Sequence, residues 1–308
     1  MNKVIITGAT GTIGMALIRR CIKNNIFVLA IVNPQSVRKE WLPKHPLLEI
    51  IEKDISEYNS LVLEESYDIW FHLAWCGASG SGRNDMYMQN RNVTYLLDAI
   101  HAAKRVGCHT FIGAGSQAEY GPSDVPLSPN SPTFPMIGYG FAKLCAGQMG
   151  KVLCNELNMR FIWSRIFSIF GPYDGDNTMI MTEIHKLLNG EVPEFTKGEQ
   201  EWDYLYCDDA AEALCLIAEK GKDGKVYCLG SGQTRLLRDY IIDIRNVISS
   251  DLQVDIGKIP YSKDQVMHLC ADISDLCKDT GFTVKTNFID GIKETIKWVR
   301  EKDSYEKN

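Results

Sequence analysis

The chain lacks any Cys-x-x-Cys pair, although it holds 10 cysteines. They stand at 21, 76, 108, 145, 154, 207, 215, 228, 270 and 277, with no metal-ligand spacing and several inside apolar runs. A zinc ribbon or a dithiol redox centre is therefore excluded, and no metal is expected. The pattern reads as reduced, mostly buried thiols of a cytoplasmic protein. No apolar run reaches membrane-spanning length. The first strand begins at Lys3, which leaves no room for a secretory leader, so a cytoplasmic location without a membrane partner is expected. The sequon Asn92-Val93-Thr94 then reads as chance. Positive charge is also short: 33 Lys and Arg against 39 Asp and Glu give a net charge of −6. Nucleic acid is not the expected partner. No internal repeat is visible.

What is present begins with "KVIITGATGTIG" at Lys3. Val4-Ile5-Ile6 reads as a buried parallel strand, short and β-branched. Ile13, Leu17 and Ile18 then space as an amphipathic helix. Between them lie Gly8, Gly11 and Gly14, the strand–turn–helix geometry that faces backbone N–H groups toward an anion. Any tight βα turn can carry glycines, so the triplet alone does not decide. Further strands are expected at 27–32, 48–51, 67–75, 109–116 and 160–172, with helices over 12–24, 86–106 and 140–157. That alternation predicts an α/β protein with a doubly wound parallel sheet. Beyond Pro172 the regularity breaks. A helix near 178–189 and a strand near 192–197 precede the helix "DDAAEALCLIAEK", the strand "KVYCLGSG", the helix "LLRDYIIDIRNVI" and a closing helix from Phe288. The expected division is 1–172, with 204–230 rejoining it, against a smaller mixed α/β lobe of 173–203 and 231–308. The tail over 302–308 is expected to be disordered.

Two further signals carry chemistry. "YGFAK" places Tyr139 and Lys143 on one helical face at i, i+4. A cation beside a tyrosine favours the phenolate, and a tyrosine so tuned can exchange a proton with a sugar alcohol while hydride moves. "GAGSQAEYG" ends a strand at Ser116, whose hydroxyl would project from the carboxyl edge where open α/β sheets bind ligands. The order of glycine turn, strand-end serine and YxxxK is improbable by chance.

With these motifs the chain resembles the extended short-chain dehydrogenase/reductase superfamily, in its branch of NAD(P)-dependent nucleotide-sugar epimerases, dehydratases and reductases. The resemblance runs through "TGATGTIG", "FHLAW", "GSQAEYG", "YGFAK", "RIFSIFGPY", "EQEWDYLYCDDAAEA" and "GIKETIKWVRE", nearly the whole length. It implies a Rossmann-type fold with a C-terminal substrate lobe. Gly8, Gly11 and Gly14, with Thr10, Thr12 and Ile13, would form the dinucleotide loop. Asp54 and Ile55 would lie beside the adenine, and Leu73 and Ala74 would line the cleft. Ser116, Tyr139 and Lys143 would be the catalytic residues, with Tyr139 as acid/base and Lys143 on the nicotinamide ribose. Phe167 and Ser168 would pass beside the nicotinamide and the sugar.

Departures from the family pattern narrow the reaction. The second strand ends Val32-Asn33-Pro34, without the carboxylate that NAD-dependent members present to the ribose. Ser36, Arg38 and Lys39 follow and suit a 2′-phosphate, so NADP(H) is favoured at Asn33 and Arg38, with NAD(H) the alternative. Gln117-Ala118 stands where 4,6-dehydratases carry an Asp-Glu pair, and neither can move a proton. His185 is the nearest match to the histidine of 3,5-epimerase-reductases, and Gln117 replaces their cysteine. Reduction of a nucleotide-activated 4-keto-(6-deoxy)hexose and C4 epimerization remain. A non-catalytic dinucleotide-binding protein and an enzyme of a flavonoid or steroid are further alternatives. Trp202 and Tyr261 replace arginines that contact the nucleotide diphosphate, leaving Arg83, Arg235 and Arg238 as candidates. Gln117, Ser168 and Trp202 are expected on the sugar. "CGASGSGRND" (76–85) is expected to be a mobile loop at the mouth of the site. The helices over 86–106 and 140–157 resemble those through which family members form homodimers.

Overall fold

The computed structural model describes residues 1–306, with side chains to residue 302. Five parallel strands open the chain: β1 (Lys3–Thr7), β2 (Phe27–Val32), β3 (Leu48–Glu52), β4 (Ile69–His72) and β5 (Thr110–Ser116). β6 (Arg160–Ile166) and the strand Val226–Leu229 extend them, and the seven lie in the order Val226–Leu229, β6, β5, β4, β1, β2, β3. The order reverses between β1 and β4, so a crevice opens at their carboxyl ends. Residues alternate across β1 because strand side chains alternate faces. Val4 and Ile6 pack with α1 (Thr12–Lys23) and α5 (Cys207–Lys220), while Ile5 packs toward α2 (Met86–Arg105) and α3 (Gly138–Glu156). Thr7 Oγ1 and His72 Nδ1 lie 3.0 Å apart, joining β1 to β4. Burial pushes His72 down to about 3, so this ring is neutral.

One expected strand divides. The run 160–172 leaves the sheet after Ile166, and β7 (Ser168–Phe170) pairs in parallel with Tyr204–Tyr206 instead. At the break, Phe167 is buried in a separate apolar cluster with Tyr120, Leu127 and Leu269. The expected strand near 192–197 shortens to Glu194–Phe195, pairing Asp255–Ile256. α4 (Met179–Leu188) and α6 (Leu237–Ile248) pack against each other, and Arg235–Leu236, Glu201–Trp202 and His268–Leu269 form a small mixed sheet. The carboxylate of Asp203 binds these pieces together, accepting from the backbone of Ser231 (2.7 Å), Gly232 (3.1 Å) and Ala271 (3.0 Å). The expected disorder of the tail is corrected in part: the last helix spans Phe288–Glu306, and residues 307–308 lie outside the described residues. Among the described residues no helix is long and apolar enough to cross a membrane.

Candidate active site

The glycine turn is built for close approach. Gly8 has φ +68°, and a Cβ there would lie 2.6 Å from the carbonyl carbon of Leu73. A Cβ on Gly14 would run into the Gly8 carbonyl oxygen, so α1 sits directly on the turn. Gly11 N–H closes the turn onto Gly8 O at 3.2 Å, and no side chain caps the first turn of α1. Free N–H groups at a helix start favour an anion. A cavity of about 330 Å³ opens here, lined by Gly8, Gly11, Thr12, Ile13, Leu73 and Phe167 and, at its far end, by Ser116, Tyr139 and Lys143. A bound pyrophosphate dinucleotide fits this cradle, because only glycine leaves the backbone accessible at these positions.

A second cavity, about 190 Å³, continues past Gly8 and Thr10 to Asn33, Ser36, Lys53, Ile55 and Ala74. Asn33 donates to Asp54 Oδ2 at 3.0 Å, while Asp54 Oδ1 accepts from Ser56 N at 3.0 Å and caps the following turn. Those Ser56 bonds hold the Asp54 carboxyl below its ordinary range. Arg38 is placed differently from expectation. Its guanidinium donates to the carbonyl of Tyr173 at 2.9 Å and lies 5.6 Å from the Trp41 ring centroid, away from the lining of this cavity. Lys53 and Ser36 line it instead. Lys39 pairs with Glu52 at 2.8 Å.

The structure brings Ser116, Tyr139 and Lys143 together. Ser116 ends β5, and Tyr139 stands at the second residue of α3, both on the lining of the same cavity. Burial holds the phenol above its ordinary range, against the smaller pulls of Ser116 and Arg83, so the expected bias toward the phenolate is not what this structure shows. Lys143 donates to the Ala114 carbonyl at 2.6 Å and sits 3.7 Å from the Trp75 ring centroid, but 5.7 Å from that of Tyr139. Complete burial pushes Lys143 down to about 7, against the pull of Glu119.

Behind Ser116 lies a carboxylate that motif reading passed over. Glu119 is fully buried. It accepts from Ser116 N at 2.8 Å and Trp163 Nε1 at 2.9 Å on one oxygen, and from Arg165 Nε at 2.7 Å on the other. Ser116-x-x-Glu119 is the capping-box spacing, a signal the sequence did carry. Asp174 was also passed over. It lines the first cavity, and burial pushes its carboxyl up to about 6.

On the sugar side, Trp202 Nε1 donates to Ser168 Oγ at 2.8 Å, joining two expected residues. Gln117 follows Ser116 on a short helical turn and is half-buried. Arg235 lies opposite Trp202 in the small sheet, yet its guanidinium pairs with Asp243 at 2.8 Å and stacks 4.7 Å from the Tyr240 ring. Its charge is already matched, so the structure does not offer it as a free diphosphate ligand. The segment 76–85 is not the open loop its glycines suggest. Gly80–Asn84 forms a helical turn whose Gly82 carbonyl accepts from the buried Gln89, while the buried Asn92 holds the backbone of Cys76. The Arg83 guanidinium lies 4.8 Å from the Tyr139 ring centroid. Among the described residues no cluster of His, Cys, Asp and Glu suits a metal ion.

A glycine cradle at the β1–β4 switch point, leading to a serine, a tyrosine and a lysine at one cavity end, defines a dinucleotide-dependent enzyme. More narrowly, the chain belongs to the NAD dependent epimerase/dehydratase family, whose model matches residues 4–230. It is 26% identical, over 97% of this chain and 98% of that protein, to dTDP-4-dehydro-6-deoxyglucose reductase of Escherichia coli. It is also 26% identical to a trifunctional UDP-glucose 4,6-dehydratase/UDP-4-keto-6-deoxy-D-glucose 3,5-epimerase/UDP-4-keto-L-rhamnose-reductase of Arabidopsis thaliana. There 96% of this chain is covered, but the chain spans only about half, 47%, of that relative. Among solved structures, UDP-N-acetylglucosamine 4-epimerase of Methanobrevibacter ruminantium, in complex with UDP-N-acetylmuramic acid, is 27% identical. It superposes with TM-score 0.88 over 98% of this chain and 99% of that one. The relatives thus include reductases and epimerases of nucleotide sugars.

Proposed function

We propose that the chain reduces a nucleotide-activated 4-keto-(6-deoxy)hexose at C4 with NADPH. The observation that carries this reading is the proton inventory of the cavity end. Tyr139 has a hydroxyl there, Gln117 and Ala118 have no exchangeable acid, Glu119 is fully engaged by Ser116 N, Trp163 and Arg165, and the cavity's other carboxyl group, Asp174, is held by Gly175 N and Thr178 Oγ1. Chemistry needing one proton fits this set, and elimination of water, which needs an acid and a base, does not. The full-length likeness to the E. coli reductase supports it.

The residues 1–172, with 204–230, would hold the dinucleotide, which when bound supplies hydride. Backbone N–H groups around Gly11 and Thr12 would receive its pyrophosphate, and Lys143 its nicotinamide ribose. Tyr139 would give its proton to the C4 oxygen as the carbonyl becomes an alcohol, with Ser116 donating to the same oxygen. Ser168 and Trp202 would orient the ring from the lobe of 173–203 and 231–308. The preference for NADP(H) rests on Asn33, which lacks a carboxylate, and on Lys53 and Ser36 at the adenosine end of the cleft. Burying a 2′-phosphate beside an ionised carboxylate is costly, and Asn33 carries no such penalty. Calorimetry should give NADPH the lower Kd; equal or tighter NADH binding overturns this preference.

C4 epimerization is the second reading, favoured by the likeness to the M. ruminantium 4-epimerase. A panel of nucleotide-4-keto-6-deoxysugars, followed by loss of NADPH absorbance, separates the two. Stoichiometric NADPH consumption supports reduction. Interconversion of C4 epimers with no net consumption assigns epimerization and overturns the reductase reading.

A further inference from the structure

Lys143 is buried, and its ammonium donates to the Ala114 carbonyl at 2.6 Å. Glu119 is the carboxylate that bears on this charge, yet both its oxygens are taken by Ser116 N, Trp163 Nε1 and Arg165 Nε. Among the described residues the ammonium therefore has no ion-pair partner, and a buried charge left unpaired is costly. What it has instead is an aromatic face: Nζ lies 3.7 Å from the Trp75 ring centroid. That separation is too short for an approach to the ring's edge, so the ammonium stands over the face, where the π-quadrupole is negative. The indole is fixed independently of the lysine. Trp75 Nε1 donates to Gln89 Oε1 at 2.8 Å, and the buried Gln89 also donates to the carbonyls of Gly77 (2.9 Å) and Gly82 (2.8 Å). The backbone of the next residue, Cys76, is clamped by the buried Asn92, through its N–H at 2.9 Å and its carbonyl at 2.8 Å. The same indole meets the Tyr139 ring edge-on, at 6.1 Å and 86°. It lines both cavities of the cleft, so it stands at the wall they share.

We propose that Trp75 is the positioning residue of Lys143: its locked indole face takes the place of a counter-ion and holds the side chain charged at the cavity end that Ser116 and Tyr139 line. The use of that charge rests on the reading above, in which Lys143 receives the nicotinamide ribose. A neutral face suits this task better than a carboxylate. It favours the ammonium without adding negative charge beside a phosphate-bearing ligand, and it competes weakly for the N–H donors that the ligand needs. Burial brings Lys143 to about 7, so near neutral pH a modest partner decides between ammonium and amine. The titratable groups that face Lys143 are Glu119 from the turn after β5, Tyr139 on α3 and the neutral His72 on β4.

The first test needs neither sugar nor cofactor. In the full chain carrying [13Cε]lysine, the Lys143 resonance is assigned by its loss in Lys143→Met and followed against pH. Where the midpoint lies beyond the folded range, the ammonium fraction at the folded limit is compared. Growth on monofluorinated and then difluorinated tryptophan weakens the indole faces with little change of shape, which avoids opening a cavity. The Lys143 midpoint should fall with each added fluorine, and this dependence should vanish in Trp75→Phe. Trp75→Leu, which has no face, should lower the midpoint by about one unit, tenfold in the protonation equilibrium; if it fails to fold, the fluorinated chains decide. A midpoint indifferent to fluorination, or one that responds as much in Trp75→Phe, overturns the proposal. Calorimetry with NADPH then separates the seat from its use. Trp75→Leu should weaken binding more above the Lys143 midpoint than below it; a loss equal at every pH makes Trp75 a direct contact of the dinucleotide and overturns its action through Lys143. Unchanged NADPH affinity in Lys143→Met, by contrast, counts against the reading of Lys143 as a cofactor ligand and leaves the lysine titration to decide on Trp75.

Discussion

Tyr139 and Lys143 were legible in the sequence as a pair, because four residues along a helix is a fixed geometry. That the Arg83 guanidinium also faces the Tyr139 ring was not legible, since it comes from a turn more than fifty residues away in the chain. Tyr139→Phe should leave cofactor affinity unchanged and lower turnover by ~10²–10⁴-fold; rapid turnover in that variant would place the proton elsewhere. Asp174 gives a second expectation at this scale. Its carboxyl, pushed up to about 6 by burial, lines the cleft with Gly11 and Thr12, with Arg38 and Asp176 as its charged neighbours. Below pH 6 the group is neutral and tolerates a pyrophosphate; above it, an anion faces an anion. Dinucleotide affinity should therefore fall as pH rises through about 6, and Asp174→Asn should flatten that dependence when Kd is measured by fluorescence titration.

At the scale of elements, the β1, β2 and β5 strands and helices α1 to α3 followed from apolar runs and 3.6-residue spacing, within a few residues at each end. The 160–172 run misled because its apolar residues serve two clusters: Phe161 and Trp163 pack beneath α3, whereas Phe167 packs with Tyr120 and Leu269. Periodicity records burial but not which cluster buries a residue. The 76–85 segment misled for a related reason: its order comes from Gln89 and Asn92 in the next helix, not from its own glycines. α4 carries an element-scale prediction. Glu183 on it is fully buried, neither carboxylate oxygen has a hydrogen-bond partner, and burial pushes it up to about 9 against the pull of Arg245 on α6. An unfolded Glu titrates near ~4.3. The stability linked to this group is thus present in full below about pH 4 and is lost as pH rises toward 9. Glu183→Met should be more stable than the parent by at least ~1 kcal/mol at pH 8, with the gap closing near pH 4. Calorimetric melts across that range check it, and a gap that does not vary with pH would refute it.

For the molecule as a whole, α2 and α3 leave an apolar face exposed. Phe141, Met149 and Val152 are 58%, 44% and 60% accessible, and a cavity there is also lined by Leu97 and His101. A monomer rarely leaves so large an apolar face in water. We expect a two-fold homodimer through this surface. Val152→Glu should convert it to monomer in light scattering at micromolar concentration, and a parent that is already monomeric sinks the expectation. The sequence placed these helices, but periodicity alone does not tell a core position from an interface one; packing buries Leu96 and leaves Val152 exposed.

The sheet's outermost strand beyond β6 is Val226–Leu229, which arrives sixty residues after β6 has ended. A chain cut short before residue 226 would leave the outer rim of β6 unpaired and open to a passing strand. A truncation near residue 172 is therefore expected to expose that rim rather than to release a self-contained nucleotide-binding unit. The strand that completes the sheet thus ties residues beyond 172 to those before it.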